Sequence, residues 1–392
     1  MLKVGLVGLG FISHEHVPGY LDSADAEIVA VCDVDGDHAR SWLAKWNLTR
    51  PRVYESLEAM LDAESLDLVD ILTPHTRHCE QVLQCARARV RAISVQKPMA
   101  VGLSQCDQMI EACEQHGVLL RVFENYRFYP VYREAKRRLD DGVIGSALSI
   151  RIHTMGGIRK GASWPHFWAP GSDALDVTRC QNSPLVADDG LHKFSLACWM
   201  MEREIERMSS WIDRDTPLDA PAYIRAKFKH EPGDSPKYAQ FDFTFSTKLD
   251  IPCDMWLDDF VEIVGERGVM WIHQCAAAGD RELFGGNEMS RSPLFPPIVV
   301  FVNGKVQPCL EDLSLEERNW STSFVDCTRH FIDVLHNGGT PICTGREGKD
   351  LNRYGIAALL SAQEGCDIEM SEITSAAETT GAFKLRTNFC TL

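Results

Sequence analysis

The sequence predicts an α/β protein with two domains: a doubly wound parallel sheet at the N-terminus, then an α/β domain with a large, mostly antiparallel open sheet. Three observations favour this fold class. Short apolar runs alternate with helical segments over residues 1–122, which is typical of a parallel sheet. Long strand-like segments follow one another in the second half. A length of 392 residues suits two domains, which we place at 1–122 and 123–392.

The first predicted strand runs directly into a glycine-rich turn. An apolar run is followed by Gly8 and Gly10. Gly8 lets the backbone turn sharply, and Gly10 has no Cβ that would hold a pyrophosphate away. The segment His14–Leu21 has the mixed pattern of a first helix. The backbone amides at its start, including those of Phe11 and Ile12, would therefore point at the phosphates of a dinucleotide.

A second apolar run ends on an acidic residue. Glu27–Cys32 predicts a strand, and Asp33 follows at about the 20-residue offset at which a carboxylate accepts hydrogen bonds from the ribose hydroxyls. Asp33 would repel a 2′-phosphate and no arginine follows it directly, so the sequence favours NAD over NADP. Ser13 stands where the glycine pattern has its third glycine, and a small residue still allows close packing of helix on strand. The alternative is a generic tight turn of an α/β protein.

Strands and helices continue to alternate through the rest of the first domain. Strands are predicted at Val53–Tyr54, Leu66–Leu72, Ala92–Val95 and Val118–Val122, and helices at Asp35–Trp46, Ser56–Leu61, His75–Ala88 and Ser104–His116. Ligands of such sheets bind beyond the carboxyl ends of the strands. We therefore expect the residues that follow these ends to converge with the glycine turn and Asp33; they are Thr73, Pro74, His75, Gln96 and Lys97.

The second half has a different pattern, in which helices flank a series of long strands. Helices are predicted at Pro130–Asp141, Asp188–Met201, Leu315–His336 and Glu347–Glu364. Strands are predicted at Ser146–Thr154, Ile205–Ile212, Tyr223–Lys229, Ala239–Ser246, Met255–Val264 and Gly268–Ile272. Two irregular stretches interrupt them, a loop at Gly156–Asp176 and a Gly/Pro-rich excursion at 274–297.

Composition excludes several classes of protein. Asp and Glu outnumber Lys and Arg by 56 to 40, a formal charge of −16 that argues against nucleic acid or an anionic membrane as a partner. No apolar run is long enough to span a bilayer, and the N-terminus lacks the features of a signal peptide. The 14 cysteines are scattered without paired spacing, which indicates reduced thiols. We therefore expect a cytoplasmic protein without a structural metal.

Taken together, these motifs resemble the Gfo/Idh/MocA family, the glucose–fructose oxidoreductase and inositol dehydrogenase group. They are Gly8-Leu9-Gly10, Thr73-Pro74-x-x-x-His78, Gln96-Lys97-Pro98, Tyr126-Arg127-Phe128-x-Pro130, Gly142-Val143-Ile144-Gly145 and Asp188-x-Gly190-x-His192. The resemblance runs nearly end to end. It implies a Rossmann nucleotide-binding domain, a second domain whose sheet carries the substrate site and often an oligomer interface, and a catalytic set of Lys97, Asp188 and His192.

The sequence departs from the family pattern at three positions. Gln96 stands where the family usually has Glu, so the position keeps its hydrogen-bonding capacity without the charge. Ser195 replaces the Asp that often lies three residues after the histidine, and His75 replaces an Asn that is common after Thr-Pro. These changes bear on the identity of the substrate more than on the type of reaction.

Oxidation of a secondary alcohol requires a hydride acceptor and a base. NAD accepts the hydride, and His192 has an imidazole suited to proton transfer near neutral pH. Asp188 lies one helical turn earlier on the same face, where it can orient the imidazole or bind a substrate hydroxyl. Lys97 can polarise the reacting oxygen. The alternatives are a solvated lysine, a core histidine and an N-cap aspartate, with Asp189 as the rival carboxylate.

Further residues are candidates for substrate or cofactor contact. Arg127 is a candidate for the substrate, unless it is an ordinary surface charge, and His78 for the cofactor, unless it lies on a helix surface. The loop residues Trp164, His166 and Trp168 bring two indoles and an imidazole together, which suits the C–H faces and hydroxyls of a sugar. The alternative is a loop that its tryptophans anchor to the core.

The function that these residues favour is an NAD-dependent dehydrogenase of a sugar, glycoside or cyclitol. Two alternatives remain open: a glycoside-cleaving enzyme that oxidises its substrate transiently with bound NAD, and a non-catalytic regulator that senses the dinucleotide. A metal-dependent hydrolase is disfavoured, because no tight His/Cys/carboxylate cluster appears. Long exposed strands in the second domain predict a homo-dimer or homo-tetramer formed through its sheet.

Overall fold

A computed structural model describes residues 1–158, 184–213, 221–246, 255–273, 296–309 and 320–383. They form two compact units. The first unit contains Met1–Asn125 and Phe324–Asn352, and the second contains Tyr126–Ser323 and Arg353–Leu392. The expected boundary after residue 122 therefore lies close to the first crossing of the chain between units, but the single division at that point missed the later return of the chain to the first unit.

The first unit contains a six-stranded sheet in the order β3-β2-β1-β4-β5-β6. Its strands are β1 (Leu2–Val7), β2 (Ala26–Cys32), β3 (Arg52–Tyr54), β4 (Leu68–Ile71), β5 (Ala92–Gln96) and β6 (Leu119–Phe123). Every neighbouring pair is parallel. The strand order reverses between β1 and β4, which is the place where ligands bind on doubly wound sheets. The predicted Rossmann architecture is confirmed.

Helices connect these parallel strands. They are α1 (Ser13–Leu21), α2 (Gly36–Lys45), α3 (Leu57–Ala63), α4 (His75–Arg87) and α5 (Leu103–His116). The predicted cap of α3 is confirmed, because the Ser56 hydroxyl accepts a hydrogen bond from the Ala59 N–H. Helix α2 is capped in the same way by Asp35, whose side chain accepts from the N–H groups of Asp37 and His38. The caps fix where each helix starts after its strand.

The second unit contains a nine-stranded sheet in the order β14-β13-β12-β11-β7-β10-β9-β8-β15. Its strands are β7 (Ala147–Ile158), β8 (Ile205–Ile212), β9 (Ala222–Phe228), β10 (Tyr238–Ser246), β11 (Met255–Gly265), β12 (Gly268–His273), β13 (Ile298–Val302), β14 (Lys305–Cys309) and β15 (Ile368–Glu369). Among the described pairs only β7 with β10 is parallel. The predicted, mostly antiparallel sheet is confirmed.

The remaining described helices are α6 (Pro130–Asp140), α7 (Gly190–Met201), α8 (Trp320–Asn337), α9 (Gly345–Glu364) and α10 (Ser375–Thr380). A stretch of π-helix, Pro184–Asp189, leads directly into α7. Phe194 of α7 packs edge-on against Phe241 of β10 at 5.0 Å between ring centroids, so this helix lies on the buried face of the sheet. On that face Ile150 and Ile152 of β7 are buried, whereas Arg151 between them is exposed.

Helix α8 explains why the chain returns to the first unit. Its side chains Phe331, Ile332 and Leu335 are buried in one core cluster with Leu2 and Val4 of β1. The sequence predicts this amphipathic helix, but periodicity does not tell which core an apolar face will cover.

One local expectation for the second unit was wrong, and one hairpin of this unit was not predicted. Strand β7 continues to Ile158, so the first residues of the expected loop at Gly156–Asp176 are strand; the remainder of that loop lies outside the described residues. The hairpin of β13 and β14 was missed. Its turn residues Asn303 and Gly304 have φ angles of 53° and 70°, as an Asn-Gly turn between two strands requires.

Candidate functional site

The glycine turn after β1 has the geometry of a phosphate-binding turn. Gly8 has a φ of +88°, and an added Cβ would lie 2.9 Å from Thr73 Cγ2 and 3.0 Å from the Leu72 backbone carbon. Only glycine fits there. A Cβ built on Gly10, in contrast, meets no atom within 4 Å. The open side of the turn at Gly10 therefore fits the close approach of a pyrophosphate, which is what a bound dinucleotide needs.

Helix α1 starts directly after this turn. Ile12 is its N-cap and Ser13 its first residue, so the amides of Phe11 and Ile12 lie where the helix opens. Ser13 is fully buried: its hydroxyl donates to the Gly10 carbonyl at 2.6 Å and accepts from Trp42 Nε1 at 2.8 Å. The residue in place of the third glycine thus fixes the start of the helix.

Asp33 follows β2 and is held by the backbone. Its Oδ2 accepts from the Leu9 N–H at 2.9 Å, and its Oδ1 accepts from the Asp35 N–H at 3.1 Å. Each carboxylate oxygen can accept a further hydrogen bond, and the residue is partly exposed. The position fits the predicted contact with the ribose hydroxyls, which stays a prediction.

His78 joins two loops at the ends of β4 and β5. Its Nε2 lies 2.8 Å from the Thr73 carbonyl, and its Nδ1 lies 3.0 Å from the Pro98 carbonyl. The ring is buried on α4, which begins at His75 with Pro74 as N-cap. Burial, together with the neighbouring His75, lowers the pKa of His78 to about 4. His78 is therefore neutral near pH 7 and acts as a brace in which one ring nitrogen donates to one of these carbonyls, while its predicted contact with the cofactor stays a prediction.

Gln96 ends β5 and Lys97 follows it. The Gln96 side chain is buried, and its Oε1 accepts from the Lys97 N–H at 2.8 Å. Lys97 is only partly buried. Gln96, which stands where the family usually has Glu, therefore contacts the backbone of Lys97, the candidate catalytic lysine.

In the second unit, Asp188 and His192 lie where the π-helix gives way to α7. The His192 ring is buried and stacks on Tyr126, with 4.2 Å between ring centroids and 8° between planes. Asp188 is partly exposed and lies within the π-helical turn. Helical structure therefore begins upstream of it, and the alternative that Asp188 is merely the N-cap is wrong. Single π-turns are frequent at functional sites.

The rival carboxylate, Asp189, belongs to a buried ion cluster. Lys193 Nζ lies 3.0 Å from Asp189 Oδ2 and 3.0 Å from Asp259 Oδ2, and it donates to the Tyr126 hydroxyl at 2.9 Å. Thr154 donates to the other oxygen of Asp259 at 2.7 Å. Burial alone would lower the pKa of Lys193, but the two carboxylates hold it above its ordinary value. Burial raises the pKa of Asp259.

This ion cluster around Lys193 was not predicted from the sequence. Asp189 and Lys193 stand four residues apart and would have indicated an ion pair. Nothing in the sequence, however, indicates that Asp259 and the Tyr126 hydroxyl complete it. The consequence for the site is that Lys193 fixes the ring on which His192 lies, and that Asp189 is paired with Lys193.

Arg127 is connected to α7. Its Nε donates to the Ser195 hydroxyl at 2.9 Å, so the serine that replaces the family's aspartate is in contact with this arginine. The predicted aromatic contacts of Trp164, His166 and Trp168 lie outside the described residues. Their role stays a prediction, as does the meeting of Lys97 with His192 at one substrate.

Three further findings concern the described residues only. No group of three or more His, Cys, Asp or Glu side chains there could hold a metal ion. The ten cysteines in this part of the chain are free thiols. Helices long and apolar enough to cross a membrane are absent from the same segments.

Known proteins resemble this chain in both sequence and structure. A family model described as an oxidoreductase family with an NAD-binding Rossmann fold matches residues 2–124. An inositol 2-dehydrogenase/D-chiro-inositol 3-dehydrogenase from Lactiplantibacillus plantarum is 30% identical over 270 residues, 68% of this chain and 70% of that protein. The chain belongs to the Gfo/Idh/MocA family. Its first unit is the NAD-binding Rossmann fold of this oxidoreductase family.

Two further members of the Gfo/Idh/MocA family resemble this chain over nearly its full length. A D-apiose dehydrogenase from Paraburkholderia graminis is 28% identical over 96% of this chain and 91% of that protein. The structure of scyllo-inositol dehydrogenase from Lactobacillus casei, solved with NAD(H) and scyllo-inositol, matches with a TM-score of 0.70 at 18% identity, covering 95% of this chain and 99% of the other. The structural match extends the shared fold to both units.

Proposed function

We propose that this protein is an NAD-dependent dehydrogenase that transfers a hydride between a secondary alcohol of a sugar, glycoside or cyclitol and the nicotinamide. The observation that carries the proposal is the setting of His192: a buried imidazole, stacked flat on Tyr126, with a partly exposed carboxylate at Asp188 one turn earlier. A base held in one orientation beside a group that can bind a neighbouring hydroxyl suits a polyol.

Each residue has a defined task in this proposal. NAD, when bound, accepts the hydride from the carbinol carbon. Gly8, Gly10, Phe11, Ile12 and Asp33 bind the dinucleotide, helped by the segment from Thr73 and by Gln96. His192 Nε2 or Nδ1 takes the hydroxyl proton, and Asp188 orients the substrate. Lys97 stabilises the negative charge that develops on the oxygen.

The class of substrate rests on relatives and on residue types. The family members named above act on apiose and inositols, a small sugar and small cyclitols that carry several hydroxyl groups. Arg127, Trp164, His166 and Trp168 supply cationic and aromatic side chains of the kind that sugar sites use. The net negative charge of the protein does not affect a neutral polyol, so it is consistent with this class of substrate.

The test is a panel of sugars, glycosides and cyclitols, assayed separately with NAD and NADP by absorbance of the reduced nicotinamide. Lys97→Ala and His192→Ala are expected to abolish turnover, whereas Lys45→Ala and His116→Ala serve as matched surface variants that retain it. Release of sugar from a glycoside without net formation of NADH would favour the glycoside-cleaving enzyme with transient oxidation over the dehydrogenase. Full turnover in both site variants would contradict the assigned roles, and NAD binding without turnover of any compound would favour the sensor.

We also propose that the second unit forms a homo-dimer or homo-tetramer through the outer face of its sheet. Trp211 and Tyr238 are 66% and 50% exposed there, and Trp211 stacks on Tyr223 at 5.9 Å. Exposed aromatic rings on a broad sheet are typical of subunit interfaces. Light scattering after size exclusion should give a multiple of the monomer mass, and Trp211→Glu should lower it while Val34→Glu in the first unit does not. A monomer in the wild type would refute this proposal.

The proposed compartment is the cytoplasm. The free thiols of the described cysteines, most of them buried, fit a reducing environment. Cell fractionation of the source organism would test this, and recovery of the protein outside the cytoplasmic fraction would contradict it.

A further inference from the structure

A row of polar side chains crosses one face of the first sheet. Asp70 of β4 lies opposite Ser94 of β5, which lies opposite Arg121 of β6. All three are buried. Arg121 Nε donates to the Ser94 hydroxyl at 3.1 Å, and its Nη1 donates to the Cys327 carbonyl at 2.7 Å. A buried charge destabilises the fold unless it is paired and hydrogen-bonded. The other contacts of this row therefore show how its charges are stabilised.

Helix α1 meets this row through His16. His16 is 0% exposed, and its Nδ1 lies 2.8 Å from Asp70 Oδ2, which also accepts from the Tyr20 hydroxyl at 2.8 Å. The opposite ring nitrogen, Nε2, lies 3.0 Å from Gln96 Nε2. The imidazole packs on Phe123, with 3.8 Å between ring centroids. His16 therefore connects the helix after the glycine turn with the end of β5.

The contacts of Gln96 determine where the proton of His16 lies. Gln96 Oε1 accepts from the Lys97 N–H, so its amide nitrogen must be the atom that faces His16. An amide nitrogen only donates. His16 Nε2 must therefore accept, which leaves the single proton on Nδ1, where it is donated to Asp70.

We propose that His16 and Asp70 are positioning residues for Lys97, which act through Gln96 and hold His16 as the neutral imidazole protonated at Nδ1. One continuous hydrogen-bonded chain then joins the helix of the phosphate turn to the backbone of Lys97. The proposal rests on the function proposed above only in so far as Lys97 is the catalytic cation. It also explains the residue at 96, because glutamine can donate to this imidazole and an ionised glutamate cannot.

Four other titratable groups face His16 or its partners. Asp70 approaches from β4, Tyr20 from α1, Arg121 from β6 and Cys327 from α8. Burial, together with Asp70, raises the pKa of Tyr20 well above its ordinary value, and burial raises the pKa of Cys327 to about 12. Burial alone would raise the pKa of Asp70, but His16, Arg121 and Tyr20 together lower it. Near neutral pH the row thus holds one anion and one cation, Asp70 and Arg121, without requiring a proton on His16 Nε2.

The first test is Gln96→Glu, followed by urea unfolding at several pH values. One oxygen of the introduced carboxylate keeps the bond to the Lys97 N–H, and the other meets the lone pair of His16 Nε2. The folded variant must therefore hold one extra proton between the two side chains. A proton bound more tightly in the folded state stabilises it below the ordinary histidine pKa, and this contribution is lost as the pH rises. Relative to wild type, the unfolding constant should rise about tenfold per pH unit from about pH 6.5 to 8.5.

The matched control is Gln81→Glu. Gln81 is also buried in the first unit, and its Oε1 accepts from the Thr73 hydroxyl at 2.5 Å, a bond that a glutamate retains without an extra proton. Its unfolding constant should keep the wild-type dependence on pH. If Gln96→Glu also followed wild type over this range, His16 would already carry a proton at Nε2 and the proposal would be wrong.

The second test asks whether the chain positions Lys97. Gln96→Met removes both hydrogen bonds at similar volume, and we expect kcat to fall about tenfold or more. NAD affinity, measured by fluorescence, should fall by a clearly smaller factor than kcat, because the glycine turn and Asp33 hold the dinucleotide and Gln96 only helps them. Near pH 6 the kcat of Gln96→Glu should be closer to the wild-type value than that of Gln96→Met. Toward pH 8.5 the kcat of Gln96→Glu should fall relative to wild type. Unchanged kcat in Gln96→Met would overturn the positioning role. If no substrate turns over at all, the proposed function fails while the unfolding experiment still decides the state of His16.

Discussion

Acidification is expected to destabilise the first unit through the buried His78. The imidazole lies between the Thr73 and Pro98 carbonyls, and burial, together with His75, lowers its pKa to about 4 from an ordinary value of 6.5. The unfolded chain therefore takes up this proton at a higher pH than the folded one. Between about pH 6.5 and 4 the unfolded state binds more protons, so the free energy of unfolding falls as the pH falls.

The size of this effect follows from the difference between the two pKa values. One pKa unit corresponds to about 1.4 kcal/mol, so the loss attributable to His78 approaches about 3 kcal/mol near pH 4. His78→Gln keeps a donor for one carbonyl and does not titrate. The neutral imidazole also donates to only one carbonyl, so at pH 7 the variant should lie within about 1 kcal/mol of wild type. Near pH 4 the variant should be the more stable protein.

Urea unfolding followed by circular dichroism at several pH values measures this difference. His116→Gln, a partly exposed histidine of the same unit, is the matched control and should follow wild type at every pH. If wild type and His78→Gln lost stability in parallel between about pH 7 and 4, the folded pKa of His78 would not be depressed, and the role of this residue as a neutral brace would be refuted.

Three further predictions concern the candidate site. Gly10→Ala places its Cβ in open space, so it should weaken NAD binding in a titration without lowering the melting temperature. Gly8→Ala should lower the melting temperature, because Gly8 has a positive φ and an added Cβ would contact Thr73. Lys193→Met removes the cation beneath Tyr126 and should lower kcat at least tenfold, whereas Lys136→Met, which breaks a partly buried ion pair with Glu202, should leave kcat unchanged. Asp33→Ser should reduce the ratio of kcat/KM with NAD to that with NADP, and an unchanged ratio would contradict the ribose contact.

The sequence is sufficient to predict the parts of the fold that rest on local chemistry. The glycine turn, the acid after β2 and the alternation of strands and helices each follow from backbone geometry within a few residues, and all three are found in the first unit. The helix that carries His192 follows from the same kind of pattern, although its start in a π-helical turn does not. A single extra residue in a helical turn leaves no periodic signal.

Contacts between distant residues could not be predicted in this way. Asp259 reaches Lys193 across 66 positions, and His16 reaches Gln96 across 80. A sequence shows which side chains can form hydrogen bonds, but the partner is decided by sheet order and by which helix covers which face. The hairpin at Asn303-Gly304 is a different case, because its signal was present and was overlooked.

The composite make-up of the first unit has a consequence for biosynthesis. Residues 1–125 leave the ribosome long before Phe324–Asn352, the segment that completes their core. Until then the surface that Phe331, Ile332 and Leu335 will cover is exposed apolar surface, of the kind that chaperones bind and that causes nascent chains to aggregate. Nucleotide binding should therefore mature only at the end of translation, and a nucleotide-binding fragment cut after residue 125 should be insoluble unless helix α8 is supplied as a separate peptide.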